Sequence, residues 1–362
     1  MPDDGRQLHV SIVAFPDAMM STLAGIHDVL SSIPILVEAG QLPPMAAPFR
    51  VEIVGAAAGQ LPLASGMPIE VQRSVRDVGR TDIVIAPSLL LTDGVWQKGR
   101  YGELVDWMSD QHRQGAVLAS ACTGLFLLAE TGAFDAHEAT VHWGFERAFR
   151  HTYPEIPVFP ERPLVVSGET ENLVSSGASM TWHDMVLYLA ARNGGANVAQ
   201  AIARFFAFQW HRDGLSPYIV FDGQADHGDA AIADAQRWLA DHFSVGSPVE
   251  EMIRRSGLAE RTFKRRFTAA TGHSPIDYVQ RLRVEDAKRR LERTSEPIEA
   301  IGWQVGYEDP AFFRRLFKRV TSLSPGAYRR RFQIPEYARR REGADRPAPG
   351  PTGATARQGR QA

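Results

Sequence analysis

Cys122 is the only cysteine in the 362-residue chain. It stands in Ser120-Ala121-Cys122-Thr123-Gly124, where an apolar run meets a turn. A thiol at a sharp strand-to-helix turn is thrust outward, and the following helix N-terminus favours its thiolate. Such a thiol could act as a nucleophile, provided that a base takes its proton and a further group orients the base. His142, in Thr140-Val141-His142-Trp143, is the available base. Trp182-His183-Asp184 is a second candidate cluster, but His183 shares a helical stretch with Met180, Val186 and Leu187. A polar position at the edge of a packed helix accounts for it without catalysis. The run Phe205-Phe206-Ala207-Phe208-Gln209-Trp210-His211 is aromatic at helical spacing and reads as core or as a dimer seam. No CxxC, HExxH, phosphate loop or dinucleotide fingerprint occurs, so neither a metal nor a cofactor is expected.

The elements that would position Cys122 alternate between strand-like and helix-like runs. Residues 8–15, 49–56, 81–88, 115–121 and 172–177 are short, β-rich and apolar, as strands of a parallel sheet buried on both faces are. Between and after them, residues 20–39, 101–115, 123–132 and 179–194 read as helices, the last stopped by Gly194-Gly195. This β-α alternation predicts an α/β doubly wound, flavodoxin-like sheet over residues 6–220. Residues 221–231 are polar and turn-rich and read as a linker, followed by a second domain over 232–333. The tail, 334–362, is rich in Pro, Gly and Arg and is expected to be disordered.

Charge separates the two domains. Residues 1–228 hold 14 Lys+Arg against 25 Asp+Glu, whereas 229–333 hold 20 against 14. An acidic larger part and a basic smaller part predict that only the second meets a polyanion. A lone cysteine excludes an intramolecular disulfide and fits a reducing compartment. The N-terminal Met-Pro-Asp-Asp-Gly-Arg lacks the basic-then-apolar pattern of a secretion signal. No apolar stretch reaches the roughly 18 residues of a membrane span, so no membrane partner and a cytoplasmic location are expected.

The basic part repeats itself at an offset of fifty. Phe263, Arg265, Phe267, Thr271, Ser274-Pro275 and Tyr278 recur as Phe313, Arg315, Phe317, Thr321, Ser324-Pro325 and Tyr328. Each copy follows a short helical segment and a glycine, Gly257 and Gly306, placed where a helix-turn-helix needs a tight bend. On a helical wheel the phenylalanines share one face, and Arg261, Lys264, Arg265 and Thr268 lie opposite. Ala311, Arg314, Arg315 and Lys318 take the outer face of the second copy. Asp309-Pro310 supplies an N-cap and a first-turn proline for that helix, while Leu258-Ala259 offers the first copy no capping side chain. Two basic helices entering successive major-groove segments about 34 Å apart would explain the duplication.

The stretch from Ile298 to Phe332 resembles the AraC/XylS-type DNA-binding domain signature, and the likeness extends over about 235–333. It implies that Arg261, Lys264 and Arg265 read bases from the first helix, and Pro310, Ala311, Arg314 and Arg315 from the second. A long helix, about 276–293, would connect the halves. Residues 8–195, above all Cys122–Phe134 and Ala139–Trp143, resemble the ThiJ/PfpI (class I glutamine amidotransferase-like) fold. Together the two parts resemble the GlxA family of transcriptional regulators. Enzymes of the ThiJ/PfpI superfamily place an acid near the cysteine, where this chain has Thr22, and its intramolecular proteases place a histidine after the cysteine, where this chain has Thr123. The resemblance implies a spent active site reused as an effector pocket lined by Cys122, Thr123, His142 and Thr22, with no catalytic residue. The alternatives are a purely structural Cys122 and retained hydratase- or hydrolase-like chemistry. Operator DNA, a small-molecule effector, RNA polymerase and a second copy of the chain are the implied partners.

Overall fold

A computed structural model describes residues 6–335, except 46, 92, 93 and 224–226, together with residue 338. The chain divides into two compact units; residues up to Asp222 form most of the first and residues from Gly223 most of the second.

The first unit opens with β1 (Leu8–Val13), α1 (Met20–Leu30), α2 (Ile33–Glu38) and β2 (Phe49–Gly55). A short hairpin of β3 (Gly59–Pro62) and β4 (Pro68–Val71) leads to β5 (Arg73–Ser74), β6 (Ile83–Ala86), α3 (Gly102–Arg113), β7 (Val117–Ala121) and α4 (Leu125–Ala129). Then come α5 (Glu146–Thr152), β8 (Leu164–Ser167), β9 (Leu173–Ser176), α6 (Trp182–Gly194) and α7 (Ala196–Phe205). Among the described residues the main sheet has seven strands in the order β5-β2-β1-β6-β7-β9-β8, all parallel except β8, which runs antiparallel to β9. Every residue of β6 and β9 is buried, so these strands are covered on both faces. That explains their uninterrupted apolar or small-residue sequences. The expected α/β doubly wound sheet is present.

The helix expected over 20–39 is two helices. Ser31 and Ser32 end the first, and Pro34 stands in the opening turn of α2, where its missing N–H costs nothing. The interior of a continuous helix would not tolerate it. The β3–β4 hairpin is absent from the sequence reading because its residues are mostly exposed or partly buried and lack an apolar signature; β8 is apolar, Leu-Val-Val-Ser, but only four residues long.

The second unit is helical: α8 (Ala230–His242), α9 (Pro248–Ser256), α10 (Glu260–Thr271), α11 (Pro275–Arg293), α12 (Ile298–Gln304), α13 (Pro310–Thr321) and α14 (Pro325–Phe332). α8 starts inside the segment read as linker, capped by Asp229, whose carboxylate accepts the N–H of Ile232. Residues 224–226 of that segment, and nearly all of the 334–362 tail, lie outside the described residues.

The fifty-residue repeat is a repeat of packing. Phe263 lies 5.5 Å from Phe267, which meets Tyr278 edge-on at 5.2 Å and 88°. Phe313 lies 5.9 Å from Phe317, which meets Tyr328 edge-on at 5.4 Å and 82°. Ser274 and Ser324 each cap the next helix, accepting the N–H of Asp277 and of Ala327. The duplicated Ser-Pro pairs are therefore N-cap followed by first-turn proline.

Candidate functional site

β7 ends at Ala121, and the backbone turns through Cys122 with φ at 54°, a region that non-glycine residues enter rarely and at a cost. The segment leaving β6 clamps this turn. The Thr123 hydroxyl donates to the Leu89 carbonyl (2.7 Å) and accepts the Leu89 N–H (2.9 Å), and Ser88 donates to the Ala121 carbonyl. A Cβ at Gly124 would lie 2.5 Å from the carbonyl oxygens of Ala86 and Pro87, so only glycine fits there. The strained elbow is present, but the outward thiol is not. Cys122 is 3% exposed, and its polar side-chain contact is Ser179 Oγ at 3.9 Å. Burial pushes the thiol's pKa up, outweighing the weak hydrogen bonds that pull the other way. The expectation of a thiolate-favouring site at Cys122 is thereby corrected: removal from water dominates over the short helix that follows.

His142 is half-buried, and burial holds its pKa below the usual imidazole value. Its Nδ1 accepts the N–H of Gly144 (3.0 Å), and its ring packs on Trp143 and Phe145. Thr22 is buried in α1. Of the four residues expected to line one pocket, Cys122 and Thr123 adjoin in the chain. No hydrogen bond joins the thiol to Thr22 or His142 among the described residues.

In the Trp182-His183-Asp184 cluster it is Asp184 that carries a buried interaction. One of its carboxylate oxygens accepts the backbone N–H of His211 (3.0 Å) and the other accepts Nδ1–H of the same residue (2.6 Å). His183 is half-buried at the edge of α6: it stacks on Phe208 at 3.8 Å and 13°, and burial lowers its pKa to about 4. Met180 precedes α6 and is exposed, so it contributes nothing to that helix's apolar stripe. α7 stops at Phe205; Phe206 and Phe208 pack on the core, whereas Phe205 and Trp210 are open to solvent.

The second unit presents two matched basic helices. α9 ends at Gly257 (φ 66°), and α10 follows without a capping side chain. α12 leads through Gly306 (φ 92°) into α13, where Asp309 accepts the N–H of Ala311 at 2.7 Å. Arg261, Lys264 and Arg265 are exposed on α10, and Ala311, Arg314, Arg315 and Lys318 on α13; Pro310 is partly covered. Lys264 pairs with Glu260 and Arg314 with Glu299. Arg261, Arg265, Arg315 and Lys318 make no side-chain hydrogen bond or ion pair among the described residues, leaving their donors available to bases and phosphates.

Arg283, which the sequence reading passed over, ties the two helix-turn-helix segments together. It is 8% exposed in the middle of α11. Its guanidinium donates to the carbonyls of Phe243 (2.7 Å), Val245 (2.8 Å) and Gly306 (3.0 Å) and lies over the Tyr307 ring. It thus joins the exit of α8 to the turn before α13. A Cβ at Gly306 would stand 2.6 Å from the Ser244 carbonyl oxygen and 2.9 Å from the Arg283 guanidinium carbon.

Comparison with known proteins matches the two units separately. A DJ-1/PfpI family model covers residues 25–191, and a helix-turn-helix domain model covers 252–331. The chain joins a DJ-1/PfpI domain to an AraC-type helix-turn-helix domain. The HTH-type transcriptional regulator GlxA of Rhizobium meliloti (strain 1021) is 25% identical over 252 residues, spanning 64% of this chain and 73% of that protein. The HTH-type transcriptional regulator CdhR of Pseudomonas aeruginosa is 24% identical over 233 residues, spanning 61% of this chain and 65% of that protein. Among solved structures, a putative transcriptional regulator from Vibrio parahaemolyticus aligns with a TM-score of 0.47 at 19% identity, over 55% of this chain and 99% of that one. Cys122 lies in the DJ-1/PfpI domain, and all eight basic-helix positions lie in the helix-turn-helix domain. No helix among the described residues is long and apolar enough to cross a membrane.

Proposed function

We propose that this chain is a sequence-specific transcriptional regulator that binds operator DNA through α10 and α13. The observation that carries the reading is the duplicated helix-turn-helix, in which both copies turn at a positive-φ glycine and expose unpaired arginines: Arg261 and Arg265 in one, Arg315 in the other. Arginine so placed reads guanine O6 and N7 in the major groove. The DJ-1/PfpI domain senses a small molecule and pairs with a second copy of the chain, and Cys122, Thr123, His142 and Thr22 line its effector pocket. The regulator works in the cytoplasm with RNA polymerase, and Cys122 has no catalytic role. Its raised pKa, and the absence of a hydrogen bond to His142, support that last point.

The test is retention of DNA from the chain's own upstream region against an unrelated competitor at two salt concentrations. Selective binding that weakens steeply with salt supports the reading; equal affinity for both DNAs overturns it. Arg315→Ala should cost about 1–3 kcal/mol of operator affinity and relax preference at one base.

A further inference from the structure

The first unit holds a cavity of about 350 Å³ lined by Pro163, Leu164, Asp184, Trp210, His211 and Arg212. Its chemistry is set by the Asp184–His211 pair. Both carboxylate oxygens of Asp184 are turned to His211, one to its backbone N–H and one to Nδ1–H. That leaves Nε2 as the imidazole's remaining polar atom, and among the described residues it has no hydrogen-bond partner. Arg212 is exposed, and its guanidinium makes no hydrogen bond or ion pair among the described residues. The other walls are apolar: Pro163, Leu164 and the partly exposed indole of Trp210.

We propose that this cavity binds a small organic carboxylate with a short apolar body. The ligand's carboxylate would take the fork of Arg212, and its hydrocarbon would lie on Trp210 and Leu164. The buried carboxylate of Asp184 does not oppose this. Both of its oxygens are already held by His211, so Arg212 is the group that meets the ligand's carboxylate. A neutral ligand would leave the Arg212 guanidinium without a counter-charge. A ligand without an apolar body would leave the indole uncovered.

The site stands independently of the regulator reading, because binding is measured without DNA. The experiment is isothermal titration of the full chain with butyrate, hexanoate and benzoate, each against its own amide. Trp210 fluorescence is followed in parallel. At least one carboxylate should bind and perturb the indole, with its amide about ten-fold weaker or worse. Arg212→Met, an exposed change that leaves the fold intact, should weaken the same carboxylate about ten-fold with unchanged thermal unfolding. If no carboxylate binds, if acid and amide bind alike, or if Arg212→Met binds as the parent does, the proposal is wrong. DNA selectivity measured on the same preparations reports separately on the regulator reading.

Discussion

Replacing Arg283 with Met tests whether one buried guanidinium joins the two helix-turn-helix segments. The methionine keeps an unbranched side chain on α11 but removes three hydrogen bonds, to the carbonyls of Phe243, Val245 and Gly306. Hydrogen bonds from a charged donor contribute about 1.5–3 kcal/mol each, but they are not additive, and carbonyls at helix exits recover some hydration. The loss of contact with the Tyr307 ring, 4.9 Å from the guanidinium carbon, adds about 0.5–1 kcal/mol. The expected total is about 3–4 kcal/mol, in the range reached when a buried polar network is broken. The control is Arg289→Met on the same helix, where the side chain is half exposed and paired with Asp286. Its loss should cost about 0–1 kcal/mol. Differential scanning calorimetry of the full-length variants separates the transition of the helical unit from that of the sheet. Equal losses for Arg283→Met and Arg289→Met would refute the joining role.

Three further predictions follow from single positions. Gly306→Ala should destabilise the helical unit well beyond Gly257→Ala in the same calorimetric assay. Both positions have positive φ, costing about 1–2 kcal/mol, but only at Gly306 would the new Cβ press on the Ser244 carbonyl and Arg283. The Cys122 thiol should react with iodoacetamide at pH 8 far more slowly than a free cysteine, and reach the free rate only on unfolding, because its raised pKa and burial both suppress the thiolate. Native reactivity equal to the free thiol would contradict its burial. His183 has a folded pKa of about 4 against 6.5 unfolded. The unfolded chain therefore takes up protons first, and stability contributed by this group is lost as pH falls from 6.5 towards 4. His142, shifted the same way, adds to the loss. His183→Phe, which retains the stack on Phe208, should make the melting temperature less sensitive to pH over that window; an unchanged slope would contradict the assignment.

What could be read from the sequence was what local chemistry decides. The buried strands β1, β6, β7 and β9 show as apolar or small-residue runs because both their faces are covered, whereas β2 shows through Val51, Ile53 and Val54 although Arg50 on it is exposed. Gly257, Gly306 and Asp309 show because a turn or a cap is specified by one residue. The duplication of the basic helices shows because packing repeated in space is also repeated in the chain. What could not be read depends on residues distant in sequence. Cys122 sits at a turn of the expected kind, yet the partner of its thiol is Ser179, 57 positions later. The companion of Asp184 is 27 residues away, so the His183 beside it drew attention instead. Arg283 looks like one more surface charge in a basic helix until the carbonyls of residues 243, 245 and 306 converge on it. The break between α1 and α2 was the exception, since Pro34 marks it locally.

The central claim is that both copies of the helix-turn-helix dock together on a specific DNA. Hydroxyl-radical footprinting of the full chain on its own upstream region tests it most directly. Each bound chain should protect two patches on one face of the duplex, centred about 10 base pairs apart. Arg265→Ala and Arg315→Ala should each weaken a different patch. A single protected patch per chain, or protection that follows no sequence, would contradict the account.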